Sequence, residues 1–400
     1  MSSKMKEKVV LAFSGGLDTS FCVPYLIKER GLEVHTVMVN TGGFTKEEEQ
    51  KIEERALSLG ATSHKNIDAV EEYYTKGIKY LIFGNVLKNG TYPLSVSSER
   101  IFQALAVLEE VKKTGAKYVA HGSTGAGNDQ VRFDLVFEVM APGVEIIAPI
   151  RELSLTRAQE IDYLAKNGCE LSWEKAKYSI NQGLWGTSVG GVETLTAEGF
   201  LPESAYPSQL KKSDSVIVKI GFEKGEPVSL DGKSLSPVEV IRKLAAIAES
   251  YAVGRDVHVG DTIIGIKGRV AFEAAAPMII IKAHHLLEKH TLTKGQLYWK
   301  EQLAGWYGQL MHEAQYLDPL ARNIENFLED TQASVTGEVS VELRPYHFSV
   351  LGCSSKYDLM NSAFGQYGEM NKSFTGQDVI GFTKVLANPL KIYYSVHKND

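Results

Sequence analysis

Val9-Val10-Leu11-Ala12-Phe13 is an unbroken apolar run, the pattern of a parallel strand covered on both faces. It stops abruptly at Ser14-Gly15-Gly16, and a helix is expected from about Asp18. Val34 to Val39 predicts a second strand. Thr45-Lys46-Glu47-Glu48 then has capping-box spacing for a charged helix running to Leu59 and stopped by Gly60. Tyr118-Val119-Ala120 predicts a further short strand. Strand, helix and strand at this spacing imply an α/β fold with a doubly wound parallel sheet, in which ligands sit beyond the carboxyl ends of the strands. Both glycine-rich stretches of the N-terminal part, after Phe13 and after Ala120, occupy such ends.

The alternation weakens after Arg151, and Trp173 to Thr194 is rich in glycine and polar residues with little periodicity, so a domain boundary is expected near residue 170. Beyond it, Ser215 to Phe222 alternates like a strand, Pro237 to Tyr251 has helical spacing, and Ile263 to Phe272 is strand-like. Leu286 to Thr331 reads as mainly helical and Val335 to Leu351 as a hairpin. An α+β second domain over residues 171–353 follows, with residues 354–400 as a polar, glycine-containing tail packed on another subunit.

Four hundred residues, 44% apolar and 23% charged, suit a folded soluble protein of two or more domains. The net charge of -6, from 43 basic and 49 acidic residues, gives no reason to expect nucleic acid as a partner. Cys22, Cys169 and Cys353 are odd in number and far apart, which suggests neither a disulfide framework nor zinc and fits a reducing cytoplasm. Met1 to Lys8 carries no signal-like apolar segment, and the longest apolar runs, such as Ala274 to Ala283, fall short of a membrane span.

Ser14-Gly15-Gly16-Leu17-Asp18-Thr19-Ser20 sets backbone N–H groups and three hydroxyls around a helix start, where a phosphate is favoured. The bland alternative is a strand-to-helix turn capped by Asp18 or Thr19. Neither the P-loop spacing nor G-x-G-x-x-G is present. His121-Gly122-Ser123-Thr124-Gly125-Ala126-Gly127-Asn128-Asp129-Gln130-Val131-Arg132-Phe133 is a strand-end loop with an amide, a carboxylate and a guanidinium, groups that suit a zwitterionic amino acid.

The first loop resembles the S-G-G-x-D-[ST]-[ST] pyrophosphate loop of enzymes that cleave ATP between its α and β phosphates. The second, over thirteen residues, resembles the H-G-[AS]-T-G-K-G-N-D-Q-V-R-F motif of the argininosuccinate synthase family. Tyr92-Pro93-Leu94 with Ser97, and Tyr178-Ser179 with Leu184-Trp185-Gly186 and Ser188, are similar to further segments of that family, so the resemblance spans nearly the whole chain. It implies an ATP pyrophosphatase domain at 1–170, a synthetase and multimerisation domain, and a cytoplasmic homotetramer with no membrane partner. It also implies ligation of citrulline to aspartate through an adenylate, with ATP as substrate and Mg2+ beside it.

Carried over residue by residue, Ala12, Phe13, Ser14, Gly15, Gly16, Leu17, Asp18, Thr19, Ser20, Val39 and Gly122 would hold ATP. Thr124, Asn128 and Asp129 would hold aspartate. Tyr92, Ser97, Asn128, Arg132, Ser179 and Ser188 would hold citrulline. Arg132 is expected to fork onto a carboxylate, and Asp129 to pair with the aspartate ammonium and to help deprotonate it.

Some positions depart from the family pattern. Ala126 stands where the family has Lys, and Asn181-Gln182-Gly183 where it has D-x-N. A Glu and a Tyr of the citrulline pocket fall at Gly260 and Phe272. The acceptor pocket is therefore expected to be altered around the α-amino end, in a way that suits an N-acylated citrulline. His284, His285 and His290 do not share one helix face, which argues against a metal, and Trp299, Trp306 and Tyr307, on an expected helix, read as core or subunit contacts rather than a stacking platform. Two rival readings are a tRNA-modifying ATP pyrophosphatase, which calls for a basic face, and a non-catalytic ATP sensor, which needs only the first loop.

Overall fold

The computed structural model describes residues 6–169 and 178–398. Five strands form the first sheet: β1 (Lys8–Ala12), β2 (Glu33–Asn40), β3 (Ser63–Asp68), β4 (Tyr118–Ala120) and β5 (Glu145–Ile147). All neighbours pair in parallel, in the order β3-β2-β1-β4-β5. The order reverses between β1 and β4, so the loops that leave these two strands diverge and open a crevice at their carboxyl ends. Val9, Val10 and Leu11 are fully buried, as the continuous apolar run requires. Edge strand β3, Ser-His-Lys-Asn-Ile-Asp, is only partly covered and carries no apolar run, which is why the hydrophobic pattern did not reveal it.

The helix after β1 spans Leu17–Lys28, and the capping box at Thr45 opens helix Lys46–Ser58. The Glu48 amide donates to the Thr45 hydroxyl at 3.3 Å and the Thr45 amide to the Glu48 carboxylate at 2.8 Å.

The remaining strands are β6 (Ser179–Gly183), β7 (Gly186–Gly190), β8 (Val216–Glu223), β9 (Glu226–Leu230), β10 (Lys233–Ser234), β11 (Arg255–Asp261), β12 (Lys267–Glu273), β13 (Gly337–Arg344) and β14 (His347–Ser354). They form two antiparallel sheets, β11-β12-β7-β6 and β10-β9-β8-β13-β14. Three expectations need correction. The aperiodic stretch ending at Thr194 contains the β6–β7 hairpin, whose polar residues alternate no apolar face; its residues 173–177 lie outside the described residues. The strand expected over Ile263 to Phe272 is shorter, because Thr262 to Ile266 closes the β11–β12 turn through a 2.8 Å amide-to-carbonyl bond. The tail is not irregular throughout: it holds helices Gly376–Leu386, started by a capping box at Thr375, and Asn388–Val396.

One hydrophobic cluster on one face of the parallel sheet joins Leu11, Phe21 and Leu26 to Leu164. A larger one runs from Val10 and Phe102 through Trp185 and Phe272 to Ile280 and Val341. The second sheet is thereby packed onto the first, and the crevice acquires a roof. Helices Ala275–Thr291, Lys294–His312 and Pro319–Thr331 complete that side. Among the described residues no helix is long and apolar enough to cross a membrane.

Candidate active site

The crevice at the switch point is a cavity of about 1010 Å³. Its floor is built from the β1 loop. The Phe13 amide still donates to the Val37 carbonyl at 2.8 Å, and the chain then turns through Gly15 at φ +74°, where a Cβ would lie 3.0 Å from Ile52. Gly15 is therefore both a left-handed position and a close contact, which only glycine serves without strain. Helix Leu17–Lys28 starts at Gly16 with no side-chain cap, so its first N–H groups keep their hydrogen-bonding capacity. The Ser14 and Thr19 hydroxyls lie 3.3 Å apart at this mouth.

Ala12, Phe13, Ser14, Gly16, Leu17, Asp18, Thr19 and Val39 all line the cavity, whereas Gly15 and Ser20 do not reach its wall. The Ser20 hydroxyl is buried and has no partner among the described residues. Asp18 also faces Glu160, which lies on helix Arg157–Lys166; burial first, and then the charge of Asp18, push the Glu160 carboxyl up to about 7.

The β4 loop forms the neighbouring wall. Its Gly122 approaches the first loop so closely that a Cβ would stand 2.9 Å from the Thr19 methyl and 3.1 Å from the Thr19 amide nitrogen. His121 is buried and bonded to Asp134 at 2.8 Å, and Asp134 accepts from Arg151 at 2.5 Å, which ties the loop base to its helix. Thr124, Asn128, Asp129 and Arg132 reach the cavity, and the Asn128 amide oxygen accepts from the Ile263 N–H at 2.9 Å across to the roof. Ala126 and Gly125 do not line it.

Asp129 is more engaged than the sequence suggested. One carboxylate oxygen takes Arg132 at 2.8 Å and the other takes Arg100 at 3.0 Å. Burial pushes its pKa up, but the two guanidiniums outweigh burial and hold it well below the carboxylate range. A carboxylate so stabilised is a poor proton acceptor, so the geometry argues against its deprotonating an amine. The expected Arg132 fork is likewise partly spent, since its Nε donates to the His312 carbonyl at 3.0 Å. Arg100 also donates to Glu99 at 2.6 Å. Glu99 is buried, accepts from Thr41 at 2.8 Å, and is pushed up to about 7 chiefly by burial. Glu99 and Arg100 both line the cavity and were missed in the sequence. The one available signal was their position one turn after Ser95 to Ser97, at the start of helix Glu99–Thr114.

The far end of the cavity lies between Tyr92 and the roof. The Trp185 indole donates to the Pro93 carbonyl at 2.9 Å, locking the β6–β7 hairpin onto the Tyr92 segment, and Ser179, Asn181, Gln182 and Ser188 of that hairpin line the wall with Ser97. The Tyr92 hydroxyl accepts from the Val96 amide at 3.3 Å, and its ring stacks on His258 with centroids 5.1 Å apart. Gly260 is on this wall. Phe272 is not: it is fully buried and packs 5.4 Å from Tyr92. His258 and His312, which no sequence motif marked, also line this end.

The three C-terminal histidines engage separate partners: His284 bonds Asn85 and Gln332, His285 lies 3.5 Å from Glu301, and His290 bonds Asp358. Among the described residues no group of three His, Cys, Asp or Glu side chains is arranged to hold a metal ion.

Comparison with known proteins adds independent findings. Residues 8–170 match the family model described as "Arginosuccinate synthase N-terminal HUP domain", and residues 178–393 match "Arginosuccinate synthase C-terminal domain". The chain is 38% identical over 383 residues to a protein of Methanocaldococcus jannaschii named argininosuccinate synthase, covering 95% of the chain and 96% of the relative. It is 38% identical over 410 residues, end to end in both, to a protein of that name from Xanthomonas campestris pv. campestris. A Dictyoglomus thermophilum protein of the same name is 37% identical over 383 residues, 95% and 96% of the two chains.

Proposed function

The chain belongs to the argininosuccinate synthase family of ATP-using carbon–nitrogen ligases in arginine biosynthesis, and from that premise we propose how its cavity performs the reaction. The observation that carries the proposal is the convergence of three elements on one cavity: an uncapped helix start behind Ser14–Gly16, the Asp129–Arg132 wall, and the β6–β7 hairpin held against Tyr92.

The ATP phosphates rest against the N–H groups of Gly16 and the first helical turn, with the Ser14 and Thr19 hydroxyls as further donors. Gly122 lets the second loop close over them. The ureido oxygen of the acceptor attacks the α-phosphorus, and the bond to the bridging oxygen breaks, so that pyrophosphate leaves with that electron pair. The amine of aspartate then attacks the activated carbon, loses a proton, and expels AMP. No side-chain nucleophile is needed; catalysis comes from alignment and from donors aimed at the developing charge. Thr124, Asn128 and Asp129 orient aspartate. Tyr92, Ser97, Arg132, Ser179 and Ser188 orient the acceptor. Arg100 and Arg132 keep Asp129 ionised, so its role is positional.

Mg2+ bound to phosphates needs only one or two protein carboxylates. Asp18 fits, because it lies at the wall beside Glu160 and a divalent cation relieves the repulsion between them. Such an ion would neutralise charge on the departing pyrophosphate.

We also assign residues 1–170 to nucleotide binding, 171–353 to the synthetase and multimerisation part, and 354–400 to a tail at a subunit interface of a cytoplasmic homotetramer. Support for the tail's place comes from its helices, which expose Phe382, Val385, Leu386, Leu390 and Tyr394 by more than half, an apolar surface suited to burial in an assembly. The adenylate step is tested with acceptor carrying 18O in its ureido group. Label recovered in the AMP phosphate is the expected result; label absent from AMP would refute attack by that oxygen.

A further inference from the structure

Around the acceptor end of the cavity three polar atoms are sealed from water and have no hydrogen-bond partner among the described residues: Ser97 Oγ, His258 Nδ1 and His312 Nδ1. Ser97, His258 and His312 are all at least nine-tenths buried and all line the cavity. Buried polar groups are nearly always paired, so three orphans on one wall mark a place where a ligand supplies the missing contacts.

The sign of the surroundings narrows that ligand. Burial, and then the nearby cations Arg132 and Lys88, push His312 down to about 3, while burial and Lys88 lower His258, so both rings stand neutral among positive charges. The carboxylates at this end carry partners: Asp129 is held by Arg100 and Arg132, and Asp261, on the solvent-exposed rim, pairs with Lys267 at 2.6 Å. An α-ammonium brought here would meet the cations Arg132 and Lys88, and the neighbouring carboxylates Asp129 and Asp261 each already hold a cation. A neutral amide with its carbonyl oxygen would instead meet imidazole and hydroxyl groups able to donate, and the apolar faces of Tyr92 and the stacked His258 ring.

Gly260 belongs to the same device. A Cβ there would fall 2.7 Å from His258 Nε2 and 3.2 Å from the Asn89 amide nitrogen, so the imidazole occupies space that any side chain at 260 would claim. We infer that His258 and His312, with Gly260 making room, are specificity-determining residues that select a ureido amino acid acylated on its α-nitrogen over the free amino acid. The inference rests on the reading of the site given above. The bonds made and broken are the same as there, and the acyl group passes unchanged into the product, an Nα-acyl derivative of argininosuccinate.

The test measures pyrophosphate release by the intact protein with Mg-ATP, aspartate and one of three acceptors: citrulline, Nα-acetylcitrulline or Nα-succinylcitrulline. At least tenfold higher kcat/KM for one acylated form is expected. Equal or greater kcat/KM for free citrulline would overturn the inference while leaving the ligase reading intact, whereas turnover of none would overturn the reading itself. Gly260→Glu, which supplies a carboxylate and displaces the imidazole, is expected to shift the ratio at least tenfold toward free citrulline. His258→Leu, which keeps bulk and removes the ring nitrogens, is expected to raise KM for the acylated form more than it lowers kcat. An unchanged acceptor ratio in both folded variants would also overturn it.

Discussion

Lys300 is a fully buried ammonium that donates to the Phe83 carbonyl at 2.6 Å and to Glu288 at 2.9 Å. Glu288, also fully buried, accepts from Gln332 at 2.9 Å and Asn85 at 2.5 Å. The network pins helices Ala275–Thr291 and Lys294–His312 to the Phe83–Asn85 segment, just ahead of the Tyr92 wall. Lys300→Met keeps the bulk of the stem but leaves a buried carboxylate without its cation and a carbonyl without its donor. Breaking a buried pair from one side costs about 3–5 kcal/mol, so a loss of about 4 kcal/mol is expected. Adding Glu288→Gln removes the stranded charge and keeps one oxygen acceptor, and should return about 1–3 kcal/mol of coupling. Urea unfolding of the wild type, both single variants and the double variant, all at one protein concentration, gives the cycle. A single-variant loss below about 1 kcal/mol, or strict additivity in the double variant, would refute the claim that this pair is what charges the junction.

Three further outcomes follow from the site. Gly122→Ala should raise KM for ATP at least tenfold with little change in Tm, because its methyl forces the two loops apart at Thr19; an unaltered KM would count against the close approach. Glu99, pushed up to about 7 when folded against an unfolded value near 4.3, holds an extra proton in the native state between those values, so its contribution to stability falls as pH rises from about 4 to about 7 and is flat above. Glu99→Gln should therefore flatten the stability difference between pH 5 and pH 8 by up to about 3 kcal/mol, and identical urea midpoints for wild type and variant at both pH values would contradict this. Asp129→Asn, which leaves Arg132 without its carboxylate and Arg100 with Glu99 alone, should raise KM for aspartate about a hundredfold or more while the pH optimum of kcat stays where it is; loss of the acidic limb from the pH profile would show instead that Asp129 accepts a proton.

The parallel sheet was legible because its central strand is a continuous apolar run and its turns are punctuated by glycine, signals that depend only on neighbouring residues. Thr45 announced its helix for the same reason. Edge strand β3 and hairpin β6–β7 were not, since their residues are polar and their pairing is decided by distant partners such as β12, which meets β7 at Phe272 and Ser188. The tail helices were obscured by the glycines and polar residues that precede them. Within the site, the structure gathers nearly all the residues of the compact motifs on one wall or another of the cavity, as proximity in the chain allows. Glu99, Arg100, His258 and His312 also line the cavity but were not legible, because each becomes part of it only when its element folds against another. Asp129 shows a subtler gap: its presence was legible, but its occupation by two guanidiniums depends on Arg100, twenty-nine positions earlier.

The most direct test of the account is nucleotide analysis of the purified protein with Mg-ATP, leaving out aspartate, the ureido acceptor or both. Release of AMP and pyrophosphate in equal amounts, dependent on both and accompanied by a product whose mass is that of the two joined with loss of water, is the expected result. Formation of ADP and phosphate, or pyrophosphate release that continues beyond one equivalent of the protein without aspartate, would contradict it.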